Sequence, residues 1–158
     1  MYHRILSEHA KKIFEDAAFT FVDAAEGTAA SECGGAIIMG LEFSGPFRGE
    51  LAIRAPEKAA RTAAANMLAL DEDSEDAGLR APDAIGEILN MICGNALPEI
   101  AGTAPEFKIG APAKISEADF SNMAEGSPDG ELSEAKIFVE GCETVILMRV
   151  EGGAGAGK

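Results

Sequence analysis

The segment DAIGEILNMICGN, Asp83 to Asn95, constrains the fold more than any other part of the chain. At about 100° per residue, Ile85, Ile88, Leu89, Ile92 and Ala96 fall on one side of a helix running from about Pro82 to Leu97. Asp83, Glu87, Asn90 and Gly94 fall on the other side. A stripe this apolar has to be buried, and one helix cannot bury it alone. The opposite face offers two carboxylates, an amide and a bare backbone position. Gly86 and Gly94 lie within the helix, and each costs about 1 kcal/mol relative to alanine. Gly94 is one turn beyond Asn90 and removes bulk where a partner could come close to the helix.

The remaining segments supply the surface on which such a helix can rest. Residues 4 to 25 carry Ile5, Ile13, Phe14, Ala17, Phe21 and Ala24 at helical spacing, and Glu26 to Gly35 reads as a loop. AIIMGLEFSGPFRGELAIRA predicts two strands joined by the turn SGPFRG. Pro56 then opens a second helix, APEKAARTAAANMLAL, and the acidic run Asp71 to Asp76 is expected to be a solvated loop. EFKIGAPAKI suggests two short strand pieces around Gly110. Ser116 to Ser133 is a polar, turn-rich excursion, and KIFVEGCETVILMRV closes as a hairpin turning near Glu140 to Glu143. The apolar runs of that hairpin suit either central strands or a subunit interface. ETVILMRV in particular is a candidate intersubunit contact, since an open apolar edge invites pairing. The expected fold is α+β: a mainly antiparallel sheet with long helices packed on one face and a weak internal pseudo-repeat, a long helix preceding a pair of strands in each half. One domain over 1–151 and a flexible Gly/Ala tail over 152–158 account for the whole chain.

Composition excludes several classes of function. The net charge is −14 and there is no basic stripe, so a nucleic-acid partner is not expected. No apolar run is long enough to span a membrane, and the N-terminus alternates charged with apolar residues, unlike a secretory signal. The three cysteines, Cys33, Cys93 and Cys142, are odd in number, far apart and form no CxxC. They predict reduced thiols and a cytoplasmic setting rather than a disulfide framework or a zinc site. Cys93 flanks the polar helix face and reads as a half-buried, inert thiol, and His3 and His9 read as surface residues. GGAGAG follows the last strand with no helix after it, so it is a tail and not a phosphate loop.

DAIGEILNMICGNAL, with IGAPAKI downstream, resembles the CheC/CheX/FliY family of chemotaxis phosphatases. The family pattern is Asp or Ser, three residues, Glu, two residues, Asn, and a Pro some twenty residues later. Asp83, Glu87, Asn90 and Pro112 match it. FSGPFRGELAIRAPEKAA is similar to the hairpin and following helix of CheX-type members. CheC-type members often carry the Glu/Asn pair twice, whereas RILSEHAKKIFEDAAF contains no E-x-x-N, so one site per chain is implied. The resemblance implies a phosphatase acting on the aspartyl phosphate of a CheY-like response regulator. Asn90 would position water, Glu87 would pair with a regulator lysine, and Asp83, Gly86 and Gly94 would lie in the docking face. It also implies a homodimer, no cofactor in this chain, and Mg2+ in the regulator. A non-catalytic adaptor or switch-type module that binds a response regulator is the alternative. The presence of both Glu87 and Asn90 speaks against a switch-type module.

Overall fold

The structure is a computed structural model, and it describes residues 2–20, 22–23, 33–102, 106–126 and 130–151. The expected 152–158 tail lies outside the described residues, as does most of the loop expected at Glu26 to Gly35. Eleven elements follow one another. They are α1 (His3–Asp16), β1 (Val22–Asp23), β2 (Ala36–Ser44), β3 (Gly49–Pro56), α2 (Glu57–Leu68), α3 (Glu75–Ala101), β4 (Lys108–Ile109), β5 (Ala113–Lys114), α4 (Glu117–Ala124), β6 (Gly130–Val139) and β7 (Cys142–Glu151).

The strands form one sheet in the order β1-β6-β7-β3-β2-β4, with β5 also paired to β2. Every pairing is antiparallel. The β6–β7 hairpin turns through Glu140 and Gly141, both at positive φ (53° and 79°), as a two-residue turn matched to strand twist requires. β7 lies between β6 and β3 and is paired along both sides. The ETVILMRV segment is therefore a central strand and not an open edge, and its apolar run reflects burial on both faces. Ile146, Met148 and Val150 point into the helix-covered core, and Leu147 points to the opposite face.

Helices α1, α2 and α3 cover one face of the sheet. Leu6, Phe14, Ala63, Ile85, Ile88 and Ile92 meet Leu51, Ile53, Ile146 and Met148 in one continuous cluster. Complete burial of each larger aliphatic side chain contributes about 1.5–3 kcal/mol. The long helices thus share a face, as expected. α4 covers part of the other face, where Phe120 and Met123 pack on Ile38, Ala52 and Leu147.

Three boundaries depart from the sequence expectation. α1 stops at Asp16, not near residue 25. Phe19 takes a positive φ of 51°, the Thr20 hydroxyl donates to the Phe14 carbonyl, and Val22 becomes a strand residue against Val139. The acidic loop is shorter than expected. Ser74 caps α3 by accepting from the Ala77 N–H, and Glu75 and Asp76 form the first turn, where carboxylates suit the helix dipole. The polar excursion 116–133 contains α4, capped by Ser116 accepting from the Asp119 N–H, and it also contains the first residues of β6.

The cysteine expectation is overturned. Cys33 and Cys142 form a disulfide with a Cα–Cα distance of 5.9 Å across a sequence separation of 109. Their spacing in sequence carried no trace of this, because the fold alone brings the approach to β2 beside the start of β7. Cys93 is free and fully buried, and burial pushes its thiol up to about 12.

Candidate functional site on helix α3

α3 runs for 27 residues and presents its middle third as a ridge. Ile85, Ile88, Leu89, Ile92 and Ala96 are all fully buried against the sheet and α1, as their spacing requires. On the opposite face Asp83 and Glu87 are exposed, Asn90 is half-buried and Gly94 is exposed. The predicted face therefore exists, and the core behind it holds it rigid.

The polar groups on the ridge are uncommitted. Among the described residues neither Asp83 nor Glu87 carries an ion pair. Asn90 makes no side-chain hydrogen bond among them either. Asn95, five residues on, shows the contrast: its Nδ2 donates to the Met91 carbonyl at 2.7 Å and its amide is spent locally. Farther along, Glu99 Oε1 meets His9 Nε2 at 2.9 Å, which ties the end of α3 to α1.

The two glycines of the ridge region have different surroundings. A Cβ at Gly94 would meet nothing within 4 Å, so the space beside it is open solvent. Gly86 is buried. A Cβ there would lie 3.1 Å from Pro112 Cβ and 3.2 Å from Met39 Cε. Gly86, expected in the docking face itself, lies beneath the chain that carries Pro112, and its influence on a partner is through that chain. The lack of a side chain lets Pro112 seat one helical turn before Asn90, so Pro112 flanks the ridge. That gives the Gly86 and Pro112 positions a common physical purpose that spacing alone did not disclose.

The ridge holds no metal-binding set, and among the described residues no group of three or more His, Cys, Asp or Glu side chains converges. An open cavity of about 780 Å³ lies on the opposite face of the sheet between Glu42, Arg48, Glu50, Lys108 and Arg149. Arg149 pairs there with Glu50 directly across the β3–β7 register. That cavity does not touch α3. A projecting ridge with free polar groups is complementary to a concave partner, so chemistry at α3 calls for no pocket in this chain.

The geometry now bears comparison with known proteins. The family model for the chemotaxis phosphatase CheX matches residues 37–130, a span that includes the entire ridge and Pro112. The chain belongs to the CheX family. Solved structures share its fold. CheX from Desulfovibrio desulfuricans is 14% identical, with a TM-score of 0.66 over 94% of this chain and 97% of that one. CheX from Borrelia burgdorferi, solved as a CheX–CheY–BeF3–Mg2+ complex, is 16% identical, with a TM-score of 0.67 over 96% and 98%. Thermotoga maritima FliY is more distant, at 15% identity and a TM-score of 0.54 over 96% and 88%. No curated protein matches the chain. No described helix is long and apolar enough to cross a membrane.

Proposed function

We propose that this CheX-family chain accelerates hydrolysis of the aspartyl phosphate on a CheY-like response regulator. The observation that carries the reading is the ridge: Glu87 and Asn90 stand on one face of a rigid helix with their polar groups unpaired among the described residues. The Borrelia relative, a CheX in complex with CheY, supports a regulator of that kind as the partner.

The chemistry is an in-line displacement. A water oxygen bonds to phosphorus, the bond from phosphorus to the aspartyl oxygen breaks, and its electron pair returns the carboxylate. The products are the free aspartate and inorganic phosphate, which keeps the water's oxygen and protons. Such a reaction needs a positioned nucleophile more than it needs a strong base. The Asn90 amide oxygen accepts from that water and the amide N–H groups are free to donate, so the side chain can orient the attacking lone pair. An amide does not titrate, so this role needs no tuned pKa. Glu87, three residues earlier, faces the same way, and its carboxylate pairs with a lysine of the regulator. The pair both anchors the ridge and fixes its register. Asp83 continues the acidic edge, while Pro112 bounds the ridge and helps fix the angle of docking. The regulator supplies the phosphorylated carboxylate and its Mg2+, which neutralises charge on the phosphoryl oxygens.

The test mixes the purified chain with phosphorylated response regulators from the same cell and follows phosphate release. Acceleration for at least one regulator is expected. Tight binding to a regulator with no change in its dephosphorylation rate would replace the phosphatase reading with that of an adaptor.

A further inference from the structure

The bridge between Cys33 and Cys142 joins two unlike places. Cys142 is the first residue of β7, pairs with Val139 across the hairpin and is fully buried. Cys33 belongs to the bend that leads into β2 and lines an open cavity of about 310 Å³, with Gly34, Glu57, Lys58 and Arg61 among its walls. Thiol–disulfide exchange begins when a thiolate reaches the sulfur it attacks. Access therefore falls on the Cys33 side of the bridge.

The same bend caps a helix. The first N–H groups of an α-helix have no partner inside it. α2 starts after Pro56, whose side chain offers no acceptor. The Gly35 carbonyl accepts from the Glu57 N–H at 2.7 Å instead, and the Cys33 carbonyl accepts from the Lys58 N–H at 2.9 Å. Gly34, at a φ of 79°, lays the bend over the start of α2, where a Cβ on it would stand 3.0 Å from that of Glu57. The disulfide thus ties to β7 the backbone that stands in for a capping side chain on α2.

We propose that the bridge is a site of thiol–disulfide exchange, opened at Cys33 by a protein dithiol of the CxxC kind, and that its opening uncaps α2. The reductant's thiolate bonds to the Cys33 sulfur. The Cys33–Cys142 bond breaks, and its electron pair goes to the Cys142 sulfur, which takes a proton. The fold keeps the Cys142 thiol beside the mixed disulfide, so it competes to close the bridge again. A monothiol loses that competition, because a second molecule has to arrive. The second thiol of a dithiol is already in place. Deprotonated, it bonds to the reductant's own sulfur, and Cys33 leaves with the electron pair and takes a proton. The chain gains two thiols, and the reductant is oxidised to its disulfide. This chemistry lies away from the ridge and stands apart from the phosphatase reading.

The test uses the full oxidised chain in its native state, with reduced thioredoxin as the dithiol. Excess thioredoxin should open the bridge, whereas reduced glutathione at the same thiol concentration should leave it closed. Thioredoxin with serine in place of its second active-site cysteine should become trapped on the chain, and peptide mass mapping should find it on Cys33. In the reduced chain, amide protection followed by NMR should fall at Glu57 and Lys58 by about twofold to thirtyfold, the range of a lost helix cap. The Asp119 amide, capped by Ser116 in α4, is the matched control and should change less. A native chain that thioredoxin does not reduce, a trap on Cys142, or equal reduction by glutathione would overturn the assignment of site and reductant. Unchanged protection at Glu57 and Lys58, or an equal fall at Asp119, would overturn the uncapping.

Discussion

Reduction of the Cys33–Cys142 disulfide is the perturbation whose size the structure sets most directly. The bridge closes a loop of 109 residues. In the chain-entropy description such a loop restricts the unfolded ensemble by about 16 cal/mol/K, or about 4.8 kcal/mol at 25 °C. For a chain of this length each kcal/mol corresponds to about 2–4 °C in Tm, so reduction is expected to lower Tm by about 10 °C or more. Cys142 is fully buried and Cys33 nearly so, which means substitution would mix bridge loss with packing loss. Reducing the wild-type chain with dithiothreitol avoids that. Thermal unfolding followed by circular dichroism, with and without reductant, gives the shift. Thiol counting with Ellman's reagent checks the state. The oxidised chain should show no reactive thiol while native at pH 8, because the one remaining thiol, Cys93, is buried and pushed up to about 12. Denatured, it should show one thiol, and after reduction three. Three thiols in the unreduced chain, or a Tm indifferent to reductant once three are shown, would refute the reasoning.

Other consequences follow from the ridge and the sheet. Glu87→Ala should weaken binding to the beryllofluoride-activated regulator by about 2–5 kcal/mol if its lysine pair is desolvated, with circular dichroism unchanged; unaltered affinity and turnover would take Glu87 out of the site. The Arg54 side chain, hydrogen-bonded to Glu117, holds the Glu117 carboxyl below its usual range. A depressed folded-state pKa gives stability that is present above the unfolded value of about 4.3 and lost as pH falls through the folded one. Protection factors of the α4 amides, corrected for the intrinsic exchange rate at each pH, should therefore fall modestly below about pH 4, and Glu117→Gln should flatten that dependence; an identical profile in the variant would count against the pair as its source. The family resemblance, and not β7, which is paired along both sides, implies a homodimer at micromolar concentration; light scattering that gives the monomer mass throughout would dispose of it.

The parts of this fold that sequence disclosed are those where local pattern and tertiary burial agree. The α3 stripe from Ile85 to Ala96, the β2–β3 and β6–β7 hairpins and Pro56 at the head of α2 are of this kind. α1 is shorter than its spacing predicts, because Ala17, Phe21 and Ala24 continue a helical periodicity past its end at Asp16. The chain instead breaks at Phe19 and pairs Val22 with β6, a choice made by the sheet. Two helix starts do carry a local signal: Ser74 before Glu75 and Asp76, and Ser116 three residues before Asp119. Polarity hid α4, whose only buried residues are Phe120 and Met123. The disulfide had no local signature at all. On the ridge, spacing gave the right face for Asp83, Glu87, Asn90 and Gly94. It could not show that Gly86 serves Pro112, because that contact joins two segments through the fold.

The central claim, that Asn90 positions the attacking water, is tested most directly by single-turnover loss of the phosphoryl group from the regulator in the presence of Asn90→Ala. Misplacing a reacting group by about 1 Å can cost about 100-fold in rate, and Asn90→Ala removes the positioning group outright. At saturating variant, the stimulated rate should fall by at least about 100-fold. Asn90 is only half-buried and its side chain hydrogen-bonds to no described residue, so Tm should change little. Affinity for the beryllofluoride form should largely survive through Glu87. Asn90→Asp should fail as well, since it sets a second anion against the phosphoryl oxygens. Near wild-type phosphate release by Asn90→Ala would contradict the account.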